Sequence, residues 1–307
     1  MSGREVDLST VLAGVRLKHV LMNASGVLGA TPEHIVKLAS YGLAAVVTKT
    51  FTEKPREGYG PPIILKLRNG GYINAVGLAN PGMGSLPQVV RKSKELGLVT
   101  IVSVGGSSLD EFVKVSAAAV DAGADMIELN LGCPHTRGYG LDIGSDPTNV
   151  YEVVKAVSSL SDVPVIAKLG FSDNYLKSSG KALEGGAKAL TLINTVKAMV
   201  IDVYSAKPIL SNVFGGMSGP PIHPIAVRVV YDVYREYKPE IIGVGGVTDW
   251  VSAAELILAG AGALQVGSVL AAKPKEVVNS IIEGLREWVS ELGYERIRDL
   301  VGLAHKR

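Results

Sequence analysis

Apolar, strand-like runs recur eight times along these 307 residues, at 20–23, 44–50, 98–104, 126–131, 164–170, 189–195, 241–247 and 263–268. Helix-like segments follow them at 32–40, 86–96, 109–122, 147–159, 176–183, 224–237, 250–258 and 274–292. Strands that are apolar on both faces, each followed by a helix, suit a parallel sheet covered by helices. Eight such units predict an α/β chain folded as a (β/α)8, or TIM, barrel, with residues 1–307 forming one domain. Four helix ends repeat a small residue plus glycine before the next strand: Tyr41-Gly42-Leu43-Ala44, Ala122-Gly123-Ala124-Asp125, Gly185-Gly186-Ala187-Lys188 and Ala259-Gly260-Ala261-Gly262. Glycine there can take the left-handed conformation that closes a helix and feeds a strand at once.

Two connections exceed a simple barrel turn, 51–97 after the second strand and 196–240 after the sixth. Long loops at the C-terminal face of a barrel usually make lids and binding surface, and both are expected to do so here. Lys+Arg 31 against Asp+Glu 29 gives a net charge of +2, so no broad basic field draws nucleic acid or an acidic membrane surface. A small-molecule ligand is expected instead. The polar start, Met1-Ser2-Gly3-Arg4-Glu5-Val6-Asp7, is unlike a signal peptide, and no apolar run is long enough to span a bilayer, so a cytosolic protein is expected. One cysteine excludes an internal disulfide and any iron–sulfur cluster held by this chain alone.

That cysteine lies in Asn130-Leu131-Gly132-Cys133-Pro134-His135-Thr136-Arg137-Gly138, where the fourth strand ends and a loop begins. A lone cysteine is more often a small buried hydrophobe, but a loop thiol is expected to be accessible and, with an ordinary pKa of about 8.5, within reach of general-base work. A Cys133–His135 nucleophile pair is the rival reading. Lys49 and Lys168 close the second and fifth runs, where both ammonium groups would face the mouth. Asn74, Asn130 and Asn194 offer donor and acceptor together, which matches the edge of a planar heterocycle. Gly243-Val244-Gly245-Gly246-Val247 and Val266-Gly267-Ser268 follow the seventh and eighth strands, where barrels often cradle phosphate with backbone N–H groups and helix N-termini. Parity with Asn130 places Glu128 inside the barrel, where its carboxylate needs a cation such as Lys168.

Along nearly the whole chain these motifs resemble the cysteine-type dihydroorotate dehydrogenases. The resemblance is carried, in family order, by Asn23-Ala24-Ser25-Gly26, Val47-Thr48-Lys49-Thr50, Asn74-Ala75-Val76-Gly77-Leu78, the Cys133 loop, Leu192-Ile193-Asn194-Thr195 and Gly215-Gly216-Met217-Ser218-Gly219-Pro220. It implies FMN lined by Ala24, Ser25, Lys49, Thr50, Asn130, Lys168, Gly219, Gly245, Gly246, Gly267 and Ser268. It implies substrate held by Lys49, Asn74, Val76, Gly77, Leu78, Asn130, Asn194 and Thr195. The implied reaction is removal of a proton from C5 of dihydroorotate by Cys133 with hydride transfer from C6 to flavin N5, giving orotate for UMP synthesis. The two lysines would then favour the reduced, anionic flavin.

Ile73-Asn74-Ala75-Val76-Gly77-Leu78 followed by Asn80-Pro81-Gly82 looks most like the NAD-linked subclass (1B). That subclass implies a homodimeric core and a second subunit carrying FAD and a [2Fe–2S] cluster; fumarate as acceptor is the other subclass. Three positions depart from the family pattern: Gly132 stands for serine, His135 for a substrate-binding asparagine, and Ser103 for an asparagine near flavin. Oxidation or reduction of another pyrimidine, and a flavin-free phosphate-binding isomerase, are the alternatives.

Overall fold

A computed structural model describes residues 6–134, 136 and 138–306. At its centre eight parallel strands run β1 (Leu21–Asn23), β2 (Ala45–Val47), β3 (Val99–Val104), β4 (Met126–Leu131), β5 (Val165–Leu169), β6 (Ala189–Leu192), β7 (Ile241–Val244) and β8 (Ala263–Val266). Neighbours follow chain order from β2 to β8, and β8 pairs with β1. Helices α1 (Pro32–Ala39), α2 (Leu86–Glu95), α3 (Leu109–Asp121), α4 (Pro147–Ser158), α5 (Tyr175–Glu184), α6 (His223–Tyr237), α7 (Trp250–Ala259) and α8 (Pro274–Glu291) follow the strands in the same order. Their apolar faces and the outward side chains of the strands form the main core. This is the (β/α)8 architecture that the alternation predicts.

The local signals explain where these helices start. Thr31, Ser108, Asp146 and Asp249 each accept a hydrogen bond from a first-turn backbone N–H of α1, α3, α4 and α7. The closing glycines Gly42, Gly123, Gly186 and Gly260 all have positive φ. Several strands are shorter than their apolar runs. The ladders of β2, β6 and β7 end at Val47, Leu192 and Val244, and the residues beyond bend across the barrel mouth. Single backbone bonds continue past the ladders, from Thr48 N to Ile101 O at 3.0 Å and from Ile193 N to Val244 O at 2.8 Å.

The interior is layered. At the N-terminal end a hairpin, Thr10–Leu12 with Val15–Leu17, inserts Leu12 and Leu17 among Met22, Val47, Ile101, Met126, Ile166 and Ile242. This apolar floor closes one end of the barrel. The other end is covered by the two long connections, and here expectation needs correcting. They are not loops alone: Ile64–Lys66 and Tyr72–Asn74 from the first join Val196–Ala198 and Gly215–Ser218 from the second in a four-stranded antiparallel sheet. Short strands among turn residues leave little periodic signal, so the pairing is invisible in sequence. Among the described residues no helix is long and apolar enough to cross a membrane.

Barrel closure between β1 and β2 is unusual in using a side chain. Ala44 N donates to Leu21 O at 3.0 Å. Beyond that, Asn23 takes the place of a backbone partner: its Nδ2 donates to Val47 O at 2.7 Å and its Oδ1 accepts from Val47 N at 2.9 Å. Asn23→Ala strands two buried backbone groups, each worth about 1–3 kcal/mol when unsatisfied. The variant is expected to lose several kcal/mol of unfolding free energy in urea titration, whereas an exposed control such as Asn69→Ala should lose almost none.

Candidate active site

Above the apolar floor the next inward residue of each strand is polar in five strands. Ser103, Glu128, Lys168, Thr191 and Gln265 are all buried. Strand parity does place Glu128 inward, on the face it shares with Asn130. Its Oε2 accepts from Thr191 Oγ1 at 3.0 Å and Gln265 Nε2 at 2.6 Å, while Lys168 Nζ lies 3.7 Å from Oε1. Lys168 Nζ donates to Gln265 Oε1 at 3.0 Å and Ser25 Oγ at 3.1 Å. Burial pushes the Lys168 ammonium below the usual lysine range, and Glu128 opposes that shift. Lys168 sits inside the β5 ladder, whereas Lys49 lies beyond the last paired residue of β2.

A cavity of about 330 Å³ opens above this layer. One wall carries Ala24, Ser25, Lys49, Thr50 and Lys168; the glycine-rich side carries Gly219, Gly245, Gly246, Gly267 and Ser268. Asn74, Val76, Leu78, Asn130, Cys133, Asn194 and Thr195 line the remainder. Of the residues expected at the site, Gly77 is the exception. A Cβ on Gly77 would stand 2.8 Å from the Tyr59 ring and 2.9 Å from its backbone N, so that residue packs beneath the cover. His135, proposed above as a substrate contact or thiol partner, lies outside the described residues.

The polar groups at the mouth are linked. Asn194 Nδ2 donates to Asn130 Oδ1 at 3.0 Å, and Asn130 Nδ2 donates to Thr50 Oγ1 at 3.0 Å. Thr50 Oγ1 and Ser103 Oγ are 3.0 Å apart. Two of the three asparagines thus hold one another, and Ser103 extends the chain from below. Asn74 reaches the cavity from the cover sheet, where its Nδ2 donates to Gly216 O at 3.2 Å. Lys49 Nζ donates to Gly26 O at 3.2 Å, and burial lowers its pKa while the charge of Cys133 raises it.

Cys133 differs from expectation in exposure. The thiol is buried, with 5% of its surface accessible, although it lines the cavity. Its Sγ lies 3.6 Å from Thr136 Oγ1, and Leu141 N donates to Cys133 O at 2.9 Å. Gly140 presses on it so closely that a Cβ there would stand 2.5 Å from that of Cys133. Gly140 and Leu141 thus pack against the cysteine, which also lines the cavity. The helix dipole expected behind the glycines is also altered. Asp249 and Ser252 form a reciprocal cap that occupies the first turn of α7.

Residues 7–289 match the family model described as dihydroorotate dehydrogenase. The chain is 44% identical over 301 residues to a putative dihydroorotate dehydrogenase A (fumarate) of Aeropyrum pernix, covering 98% of each chain. It is 45% identical over 301 residues to the dihydroorotate dehydrogenase B (NAD(+)) catalytic subunit of Pyrococcus horikoshii, covering 97% of this chain and 98% of that one. It is 43% identical over 301 residues to the same-named subunit of Thermoplasma volcanium, covering 98% of this chain and 99% of that one. The chain belongs to the dihydroorotate dehydrogenase family. The reaction that goes with membership is oxidation of dihydroorotate to orotate in pyrimidine biosynthesis.

One departure from the dihydroorotate dehydrogenase pattern has a local explanation. At Gly132 a Cβ would lie 2.5 Å from Gly170 N and 2.9 Å from Asn194 Cβ, so β4 and β5 meet here too closely for a side chain. Gln265 was not singled out as a site residue, yet it lines the cavity and joins both buried charges. Its signal was a lone amide in an otherwise apolar run, two positions before Gly267 and therefore on the same face. Tyr72, Ile64 and Ser218 line the cavity from the cover. Ser218 lies within the Gly215–Pro220 motif, but nothing in the sequence marks Tyr72 or Ile64, because their place depends on the cover sheet.

The cover meets the cysteine loop at Gly216, where a Cβ would fall 2.0 Å from Thr195 Oγ1 and 3.1 Å from Pro134 Cγ. Gly216→Ala must therefore shift the cover strand or Thr195. Displacements near 1 Å in a positioned site can cost about 10²-fold in rate. We expect kcat/KM for dihydroorotate to fall by about tenfold or more, with a stability loss of about 1–3 kcal/mol from the overpacking that leaves the protein folded; steady-state kinetics beside urea denaturation checks both.

Proposed function

We propose that this chain binds FMN across the mouth of its barrel and oxidises dihydroorotate with Cys133 as the base. The observation that carries the reading is the convergence, in one cavity, of a buried thiol, a buried lysine and linked asparagine amides. FMN fits what the cavity offers. Gly26 and Gly267 line it with no atom closer than 3.6 Å to where a Cβ would stand, which leaves room for a flat ring and a phosphate. Ala24, Ser25, Lys49, Thr50, Asn130, Lys168, Gly219, Gly245, Gly246, Gly267 and Ser268 would hold it. When bound, FMN supplies the hydride acceptor.

The chain's own residues do the rest. Asn74, Asn130 and Asn194 present amide donors and acceptors to the pyrimidine edge, with Val76, Leu78 and Thr195 shaping the pocket, Gly77 turning the backbone between the first two, and Lys49 offering a cation. Cys133, as thiolate, takes the proton from C5. Burial by itself disfavours a thiolate, and the nearby Lys49 charge opposes that cost. The cover sheet closes over the substrate.

The electron acceptor follows from the relatives with less force, since one is named for fumarate and others for NAD. We favour the NAD-linked arrangement: a homodimer of this chain joined by a second subunit carrying FAD and a [2Fe–2S] cluster. With one cysteine in 307 residues, the cluster's ligands would come from that subunit. The isolated chain is then expected to be yellow, to bleach with dihydroorotate and to reduce NAD poorly. Rapid turnover with fumarate would move it to the other subclass, and a colourless protein that takes up no FMN would end the flavin reading.

Cys133→Ala should leave flavin bound and slow its reduction by dihydroorotate by about 10²–10⁴-fold, the usual worth of a positioned general base. Cys133→Ser should keep a residual rate that rises with pH. In the parent the rate should climb as the thiol deprotonates, and Lys49→Met, by removing the cation, should move that limb to higher pH. Stopped-flow reduction across a pH series measures all three. A parent-like rate in Cys133→Ala would place the base elsewhere.

A further inference from the structure

Glu128 and Lys168 are both buried, yet they stand 3.7 Å apart, beyond hydrogen-bond contact. Both donors to Glu128 end on Oε2, and Oε1, without a hydrogen-bond partner, stands 3.7 Å from Lys168 Nζ. Between the two charges sits Gln265, whose Nε2 faces the carboxylate and whose Oε1 faces the ammonium. The reverse orientation would set an amide NH2 against the ammonium, so the charges fix the amide and the amide spaces the charges.

An ammonium has three N–H donors. Two of Lys168's are spent on Gln265 and Ser25, and the residue lines the cavity. A carboxylate in direct contact would take the third. A lysine buried without a counter-charge would lose its proton. The other charged or titratable groups at the cavity are Lys49 and Cys133, on the loops after β2 and β4, and Tyr72 of the cover sheet. Lys49 adds positive charge, and among the described residues no carboxylate lines the cavity itself. The counter-charge therefore comes from beneath.

We infer that Glu128 is a positioning residue: acting through Gln265 and across the gap, it keeps Lys168 a cation while leaving one N–H for the ring in the cavity. What that N–H addresses rests on the flavin reading above; the charge of Lys168 does not. Glu128→Gln is isosteric and removes only the counter-charge. In the variant Lys168 should be neutral when folded and protonated when unfolded, since a free lysine titrates near pH 10.4.

Unfolding of the variant then takes up one more proton than unfolding of the parent. Stability rises with pH wherever the unfolded state binds more protons. Between about pH 7 and 9, the unfolding equilibrium constant of Glu128→Gln should fall by up to tenfold more per pH unit than that of the parent, both measured in excess FMN. Adding Lys168→Met should abolish the difference. In the same samples the midpoint potential of bound flavin should be lower in Glu128→Gln by at least tenfold in the two-electron equilibrium constant, about 30 mV.

Equal proton uptake in parent and variant would overturn the inference, even if both are yellow. Extra uptake in a protein that binds no FMN would support it and remove the flavin reading alone. If Glu128→Gln does not fold at neutral pH, Glu128→Gln with Lys168→Met should restore folding. A double variant that stays unfolded would overturn the inference as well.

Discussion

Closing eight strands into a barrel decides which side chains must share its interior, because every second residue of every strand has nowhere else to go. At one end those residues are Met22, Ile101, Met126, Ile166 and Ile242, sealed by the Leu12–Leu17 hairpin. One step up they are Ser103, Glu128, Lys168, Thr191 and Gln265. Groups of that kind survive burial only by satisfying one another. The hydrogen bonds that tie Glu128 to Thr191 and Gln265, and Lys168 to Gln265 and Ser25, are thus a condition of the fold as well as the base of the cavity.

The site divides its labour between rigid and adjustable parts. Lys168, Asn130 and Gln265 stand on barrel strands, so their positions are set by the ladder. Cys133, Lys49 and the glycines lie just past strand ends, where the backbone can approach a ligand. Cys133, expected to be exposed on its loop, is instead buried against Gly140 while still lining the cavity. Burial of this kind also shields a thiol from oxidants in bulk solution.

The barrel was legible in sequence because each strand–helix unit carries its own signal: an apolar run, a cap such as Thr31 or Asp249, a closing glycine such as Gly123. The inward face of β4 followed from parity alone, and with it the pairing of Glu128 with Lys168. Most expected site residues fall together for the same reason, since strand ends in a barrel converge. What could not be read depends on contacts between distant segments. The cover strands are too short to show a period, the depth of Cys133 is set by Gly140 and the loop behind it, and Gln265 gains its importance only from the charges on two other strands.

The cover sheet also has a bearing on when the site exists. Asn74 and Gly216, partners across it, are separated by 142 positions, and the four barrel strands β3 to β6 lie within that interval. Barrel closure reaches further still, pairing Leu21 with Leu264, but it is one seam of a buried eight-stranded ladder, whereas the cover is a small sheet of short, partly exposed strands. Such a sheet opens at lower free energy than buried core strands. An opening of the cover would leave the barrel whole, so a ligand can reach the cavity without disturbing the strands beneath.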